Sequence, residues 1–384
     1  MGFYELFNQY KTLDLDKKLW ESSAQNIQSS LNCDNLKIEH LIALLSYEAE
    51  NYLEDMAQKA HEITLRYFGK TIQLYTPMYL SNYCDNQCLY CGFNLQNKIE
   101  RKKLEPCEVE KEADFISGTG LKHILILTGE SKAQSPVSYI KDCIKILKKY
   151  FASISIEIYP LTENEYAEIV SSGVDGLTIY QETYDEIIYK EMHRAGPKSD
   201  YEFRLGAPER GAKSGMRNVN IGALLGLCNW RKDVFSMGLH AKYLQDTFAD
   251  TEIGISIPRI RPEVSGFKAG FTISDTNIVQ IILALRIFLP RLGISVSTRE
   301  SPEFRDNLLP LGITRMSAGS TTRVGGHTIR NEGRRTKDIG HKEKAEERAN
   351  PAQFEISDTR NVEEIKLMLE NKGYQPVLKD WMQI

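Results

Sequence analysis

Up to about residue 70 the apolar positions recur at helical spacing. Glu39-His40-Leu41-Ile42-Ala43-Leu44-Leu45-Ser46, continued by Ala49, Tyr52, Leu53, Met56 and Ala57, approximates a stripe with a period of about 3.6 residues, and Asn35 or Lys37 marks a helix start. From about residue 71 the pattern changes to short β-branched runs separated by amphipathic stretches. The predicted strands are Thr71–Leu80, His123–Thr128, Ser153–Tyr159, Gly176–Gln181, Asn218–Ala223, Glu252–Pro258, Gly293–Ser297 and Ile313–Ala318. Helical segments such as Val137–Lys149, Glu163–Ser171 and Ile278–Leu289 lie between them. Strand runs that alternate with helical runs in this way predict an α/β fold, a (β/α)8 TIM-type barrel, in which chemistry gathers at the C-terminal ends of the strands. The predicted organisation is a helical extension over 1–70, the barrel over 71–320, and a flexible segment with a C-terminal extension over 321–384. Thr321 to Asn350 is polar, with Gly325-Gly326, Arg334-Arg335 and the charged run Lys342–Arg348, and reads as a flexible loop or surface helix. Val362–Asn371 then reads as an amphipathic helix, Gly373 as its C-cap and Tyr374–Val377 as an extended exit.

Composition narrows the class. With 384 residues, 41% hydrophobic and 26% charged, the chain suits a packed core under a polar surface. A net charge of −4 argues against a nucleic-acid partner. Met1-Gly2-Phe3-Tyr4-Glu5 lacks the basic-then-apolar pattern of a signal peptide, and Leu6 stands where myristoylation favours Ser or Thr. The longest apolar stretch, Ile278 to Pro290, contains Gln280 and Arg286 and is too short for a bilayer. The expectation is a cytoplasmic protein without membrane association.

The seven cysteines are 33, 84, 88, 91, 107, 143 and 228. An odd number with three inside eight residues does not read as a disulfide framework. Cys84-Asp85-Asn86-Gln87-Cys88-Leu89-Tyr90-Cys91 directly follows the first predicted strand, with the spacing C-x3-C-x2-C. Three thiolates on one loop suit three irons of a [4Fe–4S] cube and leave the fourth iron open, as a catalytic metal requires. The alternative is structural zinc, which needs a fourth ligand; Cys107 and His123 are the nearest candidates, at spacings that match no familiar finger.

With Tyr90 as the aromatic before the last cysteine, this stretch resembles the radical S-adenosylmethionine (SAM) superfamily, whose hallmark is C-x3-C-x-aromatic-C. The resemblance implies SAM chelating the open iron, and a 5′-deoxyadenosyl radical that abstracts hydrogen from a substrate. Tyr90 and Phe93 would then flank the cofactor. Thr128-Gly129-Glu130 is similar to the superfamily's Gly-Gly-Glu motif, which places Gly129 and Glu130 at the cofactor's ammonium group, where a carboxylate makes a charge-assisted hydrogen bond. Glu157 and Tyr159 at the end of the third strand, and Gln181 and Glu182 at the end of the fourth, are rim positions suited to ribose and methionine polar groups, with rim solvation as the alternative. Arg259 and Arg261 follow the sixth strand and Arg299 the seventh, and paired guanidinium hydrogen bonds suit an α-amino acid carboxylate. The alternative is a surface arginine paired with Glu300 or Glu303.

Met78–Cys84, Cys91-Gly92-Phe93, Tyr180–Tyr184, Ser297–Ser301, Phe304-Arg305-Asp306 and the closing Gln375–Trp381 together resemble 2-iminoacetate synthase (ThiH), over about residues 70 to 320 and again 351 to 381. That resemblance implies a carbon–carbon lyase that splits L-tyrosine to 2-iminoacetate and 4-methylphenol for thiamine's thiazole. It also implies thiazole synthase (ThiG) as protein partner and reduced flavodoxin or ferredoxin as electron donor. By analogy with related aromatic amino acid lyases, Arg299 and Ser317 hold the substrate carboxylate. The chain departs from the family at Val324-Gly325-Gly326-His327, where Pro-Gly-Gly-Tyr is usual, and His327 to Asn350 is longer than expected. The rivals are a tryptophan lyase, which pocket shape decides, a hydrogenase-maturase-like tyrosine lyase, and a non-catalytic metal-binding scaffold. The maturase uses an auxiliary cluster on C-terminal cysteines, and this chain has no cysteine after Cys228.

Overall fold

The computed structural model describes residues 2–329 and 352–378. Eight parallel strands close into a barrel: β1 (Thr71–Ser81), β2 (His123–Thr128), β3 (Ser153–Glu157), β4 (Gly176–Glu182), β5 (Asn218–Ala223), β6 (Glu252–Ser256), β7 (Gly293–Val296) and β8 (Arg315–Ser317). β1 seals the ring, pairing with β2 from Thr76↔Ile124 to Ser81↔Thr128 and with β8 through Gln73↔Arg315 to Tyr75↔Ser317. The helices between strands bury their apolar stripes on the barrel wall, as Ile140, Cys143, Ile144 and Leu147 do in Val137–Leu147.

A ninth strand, β9 (Gln375–Val377), pairs with β1 at Thr71 to Gln73, below the point where β2 begins. The backbone of Leu378 then accepts from Lys122 N (3.0 Å), so the segment runs on into the entry of β2. The sequence showed this run only as an extended exit. Gly373, at φ +76, makes the turn into it from the helix Val362–Asn371.

The single stripe expected over 39–57 is interrupted. The helix Ile38–Leu44 stops, a 3-10 turn covers Glu48–Tyr52, and the helix Leu53–Phe68 follows. Buried Ser46 makes the break: its hydroxyl donates to Ala43 O (2.6 Å) and accepts from Ala49 N (3.2 Å), competing with the helical ladder. The extension clamps two barrel helices, Trp230–Thr247 and Asp275–Phe288. Gln280 Nε2 donates to Leu44 O and Ser46 O, Arg231 Nε donates to Leu45 O, and Phe3 stacks on His240 at 3.8 Å. Among the described residues, no helix is long and apolar enough to cross a membrane.

The polar stretch from Thr321 corrects an expectation. Thr321, Thr322, Val324 and His327 are buried, and Val324 bridges to Tyr79 of β1. Its polar groups find partners inside: the carboxylate of buried Glu112 accepts from the backbone of His327 (3.1 Å) and of Thr328 (2.7 Å), and Thr322 Oγ1 donates to Phe354 O (2.9 Å). The expectations for Arg330–Pro351, and for the closing Lys379–Trp381, fall outside the described residues.

Candidate active site at the top of the barrel

β1 delivers the cysteine loop to the C-terminal end of the barrel, and neighbouring backbone fixes it there. Gln87 N and Leu89 N donate to Ala195 O and Met192 O, and Asp85 N donates to Glu130 O. Asn94 Nδ2 donates to Cys88 O (2.9 Å), and Arg101 reaches the carbonyls of Asn82, Phe93 and Asn94. The Thr128-Gly129-Glu130 segment lies against this loop. Gly129 N donates to Ser81 O, and a Cβ at Gly129 would stand 2.2 Å from Tyr83 O, so only glycine permits the approach.

Cys84, Cys88 and Cys91 line one chamber, together with Phe93, Gly129 and Glu130. All three are free thiols. Burial raises each thiol above the ordinary range, Cys84 to about 11, so these groups stay protonated until a metal displaces the proton. The fourth ligands considered for zinc lie elsewhere: Cys107 is exposed on the helix Pro106–Ser117, and His123, at the opening residue of β2, contacts Ser155 Oγ (2.9 Å). Among the described residues that line the chamber there is no histidine and no fourth cysteine, and three free thiols facing one chamber fit a three-ligand cluster.

The chamber's charges are interlocked. Glu130 Oε1 accepts from Arg204 (2.8 Å) and Oε2 from Asn86 Nδ2 (2.9 Å), so both oxygens are engaged. Glu182 Oε1 pairs with Lys198 Nζ at 2.7 Å and with Arg204 at 3.7 Å. Burial opposes the Glu130 charge, but Arg204 and Lys198 outweigh it and hold its pKa below the usual carboxylate range. Burial likewise opposes the Lys198 charge, and Glu182 with Glu130 overcomes it. Glu182 carries φ +70, the single non-glycine residue with positive φ among those described, at a register shift in the β4–β5 pairing. Strain at this point turns its carboxylate into the chamber. Neither Lys198 nor Arg204 was read from the sequence. They come from helical connections after β4 that carry no motif, and only their buried charge in a strand-to-helix crossover marked them.

A second cleft adjoins the chamber and shares Cys91, Glu157, Glu182, Lys198 and Gln353 with it. Its far wall holds Arg261, Arg299 and Ser317. The Arg299 guanidinium lies 3.4 Å from the centre of the Phe354 ring and donates to Arg259 O (3.3 Å). Arg261 donates to Ser357 Oγ and has a buried Nε without a partner. Among the described residues neither arginine pairs with a carboxylate. Ser317 Oγ accepts from Thr298 N (3.1 Å). Glu157, on the shared wall, has no hydrogen-bonding partner among the described residues, and burial with the nearby Glu182 charge pushes its pKa up to about 7. Tyr90 faces the cleft, and its hydroxyl meets His193 Nε2 at 2.7 Å. His193 Nδ1 donates to Tyr189 O (2.7 Å), and burial keeps the ring neutral, so Tyr90 donates to Nε2.

Three expected site residues stand elsewhere. Arg259 is committed to Glu300 and to Asp275 (2.7 Å), the surface pairing weighed as its alternative. Tyr159 lies past the end of β3, so strand alternation no longer aligns it with Glu157, and its hydroxyl donates to Ser135 O (2.7 Å). Gln181 falls between Tyr180 and Glu182, which both face the cleft, so alternation turns it away, with its carboxamide buried and unpartnered.

A barrel whose first strand ends in three free thiols around one chamber defines a radical SAM enzyme. The Radical SAM superfamily profile matches residues 78–233, and the Biotin and Thiamin Synthesis associated domain matches 256–375. The 2-iminoacetate synthases of Salmonella typhimurium and Escherichia coli are each 36% identical to the chain, over 99% of this chain and 96% of theirs. The FeFe-hydrogenase maturase HydG from Carboxydothermus hydrogenoformans superposes with a TM-score of 0.82 at 30% identity, covering 98% of this chain and 82% of that one. The chain belongs to the 2-iminoacetate synthase family of radical SAM carbon–carbon lyases. Its cofactors are a [4Fe–4S] cluster and SAM.

Proposed function

We propose that the chain cleaves the Cα–Cβ bond of L-tyrosine to 2-iminoacetate and 4-methylphenol, with Cys84, Cys88 and Cys91 holding the cluster and Arg261 and Arg299 receiving the substrate carboxylate. The observation that carries this reading is the pair of arginines that have no carboxylate partner among the described residues and line the same cleft as Cys91. When bound, the cluster and SAM supply the 5′-deoxyadenosyl radical that takes hydrogen from the substrate amino group.

The chain's own residues divide the remaining work. Arg299 is held flat on Phe354, which leaves its edge for a paired contact with a carboxylate. Ser317 lies on the same wall, fixed by Thr298 N. Glu130 has both oxygens occupied and acts as a brace for the cysteine loop. Glu157 and the second oxygen of Glu182 are the acceptors left for the SAM ammonium and ribose hydroxyls. Gly129 lets the backbone after β2 lie tight against the cysteine loop, and Phe93 and Tyr90 form apolar walls. In this reading thiazole synthase (ThiG) takes up the imine, reduced flavodoxin or ferredoxin supplies the electron, and the enzyme works in the cytoplasm.

Anaerobic incubation of the reconstituted enzyme with SAM, reductant and tyrosine should yield 4-methylphenol and 5′-deoxyadenosine, with no cleavage when tryptophan replaces tyrosine. Cleavage of tryptophan in its place would overturn the substrate assignment.

A further inference from the structure

Residues 352–358 cross the top of the barrel and meet the cysteine loop at Gln353. Gln353 N donates to Thr322 O (3.1 Å), and Gln353 O accepts from Gly92 N (3.1 Å), so its backbone is held from both sides. The approach is close: a Cβ at Gly92 would lie 2.6 Å from Gln353 O. The side chain is held as well. Tyr79 on β1 donates its hydroxyl to Gln353 Oε1 (2.7 Å). A hydroxyl that donates selects the carbonyl end of the carboxamide, so the NH2 end must point the other way, and Gln353 Nε2 lies 3.6 Å from Cys91 Sγ.

We infer that Gln353 is a positioning residue for the cluster: oriented by Tyr79, its carboxamide donates a hydrogen bond to the Cys91 sulfur and raises the cluster's reduction potential. The physical ground is charge. Reduction adds an electron to the cluster and its thiolates, and an N–H donor on a ligand sulfur stabilises that added negative charge. The same residue forms part of the wall shared by the cluster chamber and the substrate cleft, so the donor is set where substrate-side contacts reach the cluster. This inference rests on Cys91 being a cluster ligand.

The test uses reconstituted holoenzyme and reads the midpoint potential of the cluster by EPR-monitored titration, with iron content measured alongside. Gln353→Leu should retain about four irons per chain and show a more negative potential, and one of the exchangeable proton couplings of the reduced cluster should vanish from its ENDOR spectrum. Tyr79→Phe should shift the potential the same way by less, and adding it to Gln353→Leu should give no further shift. A wild-type potential and an unchanged proton coupling in iron-replete Gln353→Leu would overturn the inference. If Gln353→Leu does not take up iron, Gln353→Met, of similar length and without an N–H or O–H donor, decides on the proton coupling alone: loss supports the inference and retention overturns it. Failure of the wild-type protein to take up about four irons would instead overturn the assignment of the three cysteines.

Discussion

The two chambers at the top of the barrel hold similar charges under opposite conditions. Around the cysteines, Glu130, Glu182, Lys198 and Arg204 satisfy one another within 2.7 to 3.8 Å. Across the shared wall, Arg261, Arg299 and Glu157 face the cleft without an ion-pair partner among the described residues. Buried charges that are paired brace a structure, and losing one partner exposes the full desolvation cost of the other. Charges left unpaired in a cleft are available to a ligand. The residues that shape the chamber and those that grip the substrate are thus separable by experiment.

The largest effect should come from the loop itself. Cys88→Ala should leave the reconstituted protein without its cluster, seen as loss of iron and of 4-methylphenol formation; a cluster of unchanged iron content would remove Cys88 from the ligand set. Next, Arg204→Met removes the close ionic partner of the buried Glu130 carboxylate and should destabilise the fold by about 3–5 kcal/mol, measured by denaturant titration. Arg299→Ala should do the reverse, leaving stability near wild type while kcat/KM for tyrosine falls roughly 100- to 1000-fold, about 3–4 kcal/mol of lost carboxylate binding. A fall in stability with an unchanged tyrosine requirement would erase the distinction between chambers. Arg259→Ala, already committed to Glu300 and Asp275, should change the tyrosine KM by less than about tenfold.

Glu157 sharpens the boundary through pH. Its pKa is raised from 4.5 to about 7, chiefly by burial and then by Glu182. In the protein before cluster and SAM are loaded, the stability linked to its protonated form is complete below pH 4.5 and is lost as pH rises through 7. Glu157→Gln should flatten that decline, a difference of about 1–3 kcal/mol at pH 8. Parallel wild-type and variant stability curves between those limits would show that Glu157 titrates as an ordinary carboxylate.

The barrel was readable because its strands are short β-branched runs between amphipathic helices: six of the eight strands lie within their predicted stretches, and β1 and β4 each run one residue further, to Ser81 and Glu182. The cysteine spacing was readable for the same reason: it is local. What could not be read is non-local. Gln353 reaches Tyr79 across 274 positions, and Lys198 and Arg204 meet Glu130 across the barrel mouth. Thr321 to His327 looked like surface because its polar groups are satisfied by partners distant in sequence, Glu112 at His327 and the Phe354 carbonyl at Thr322. Among the arginines, composition could not separate Arg259 from Arg299, since only the fold shows which one Glu300 reaches.

The pairing of β9 with β1, and of Gln353 with the cysteine loop, bears on how the protein is born. A ribosome exposes residues 71–91 long before 352–378, so the nascent chain presents its cysteine loop with one wall missing and one edge of β1 uncovered. Only when residues 352–378 have docked are the Gln353 wall beside Cys91 and the β9 edge of β1 both in place.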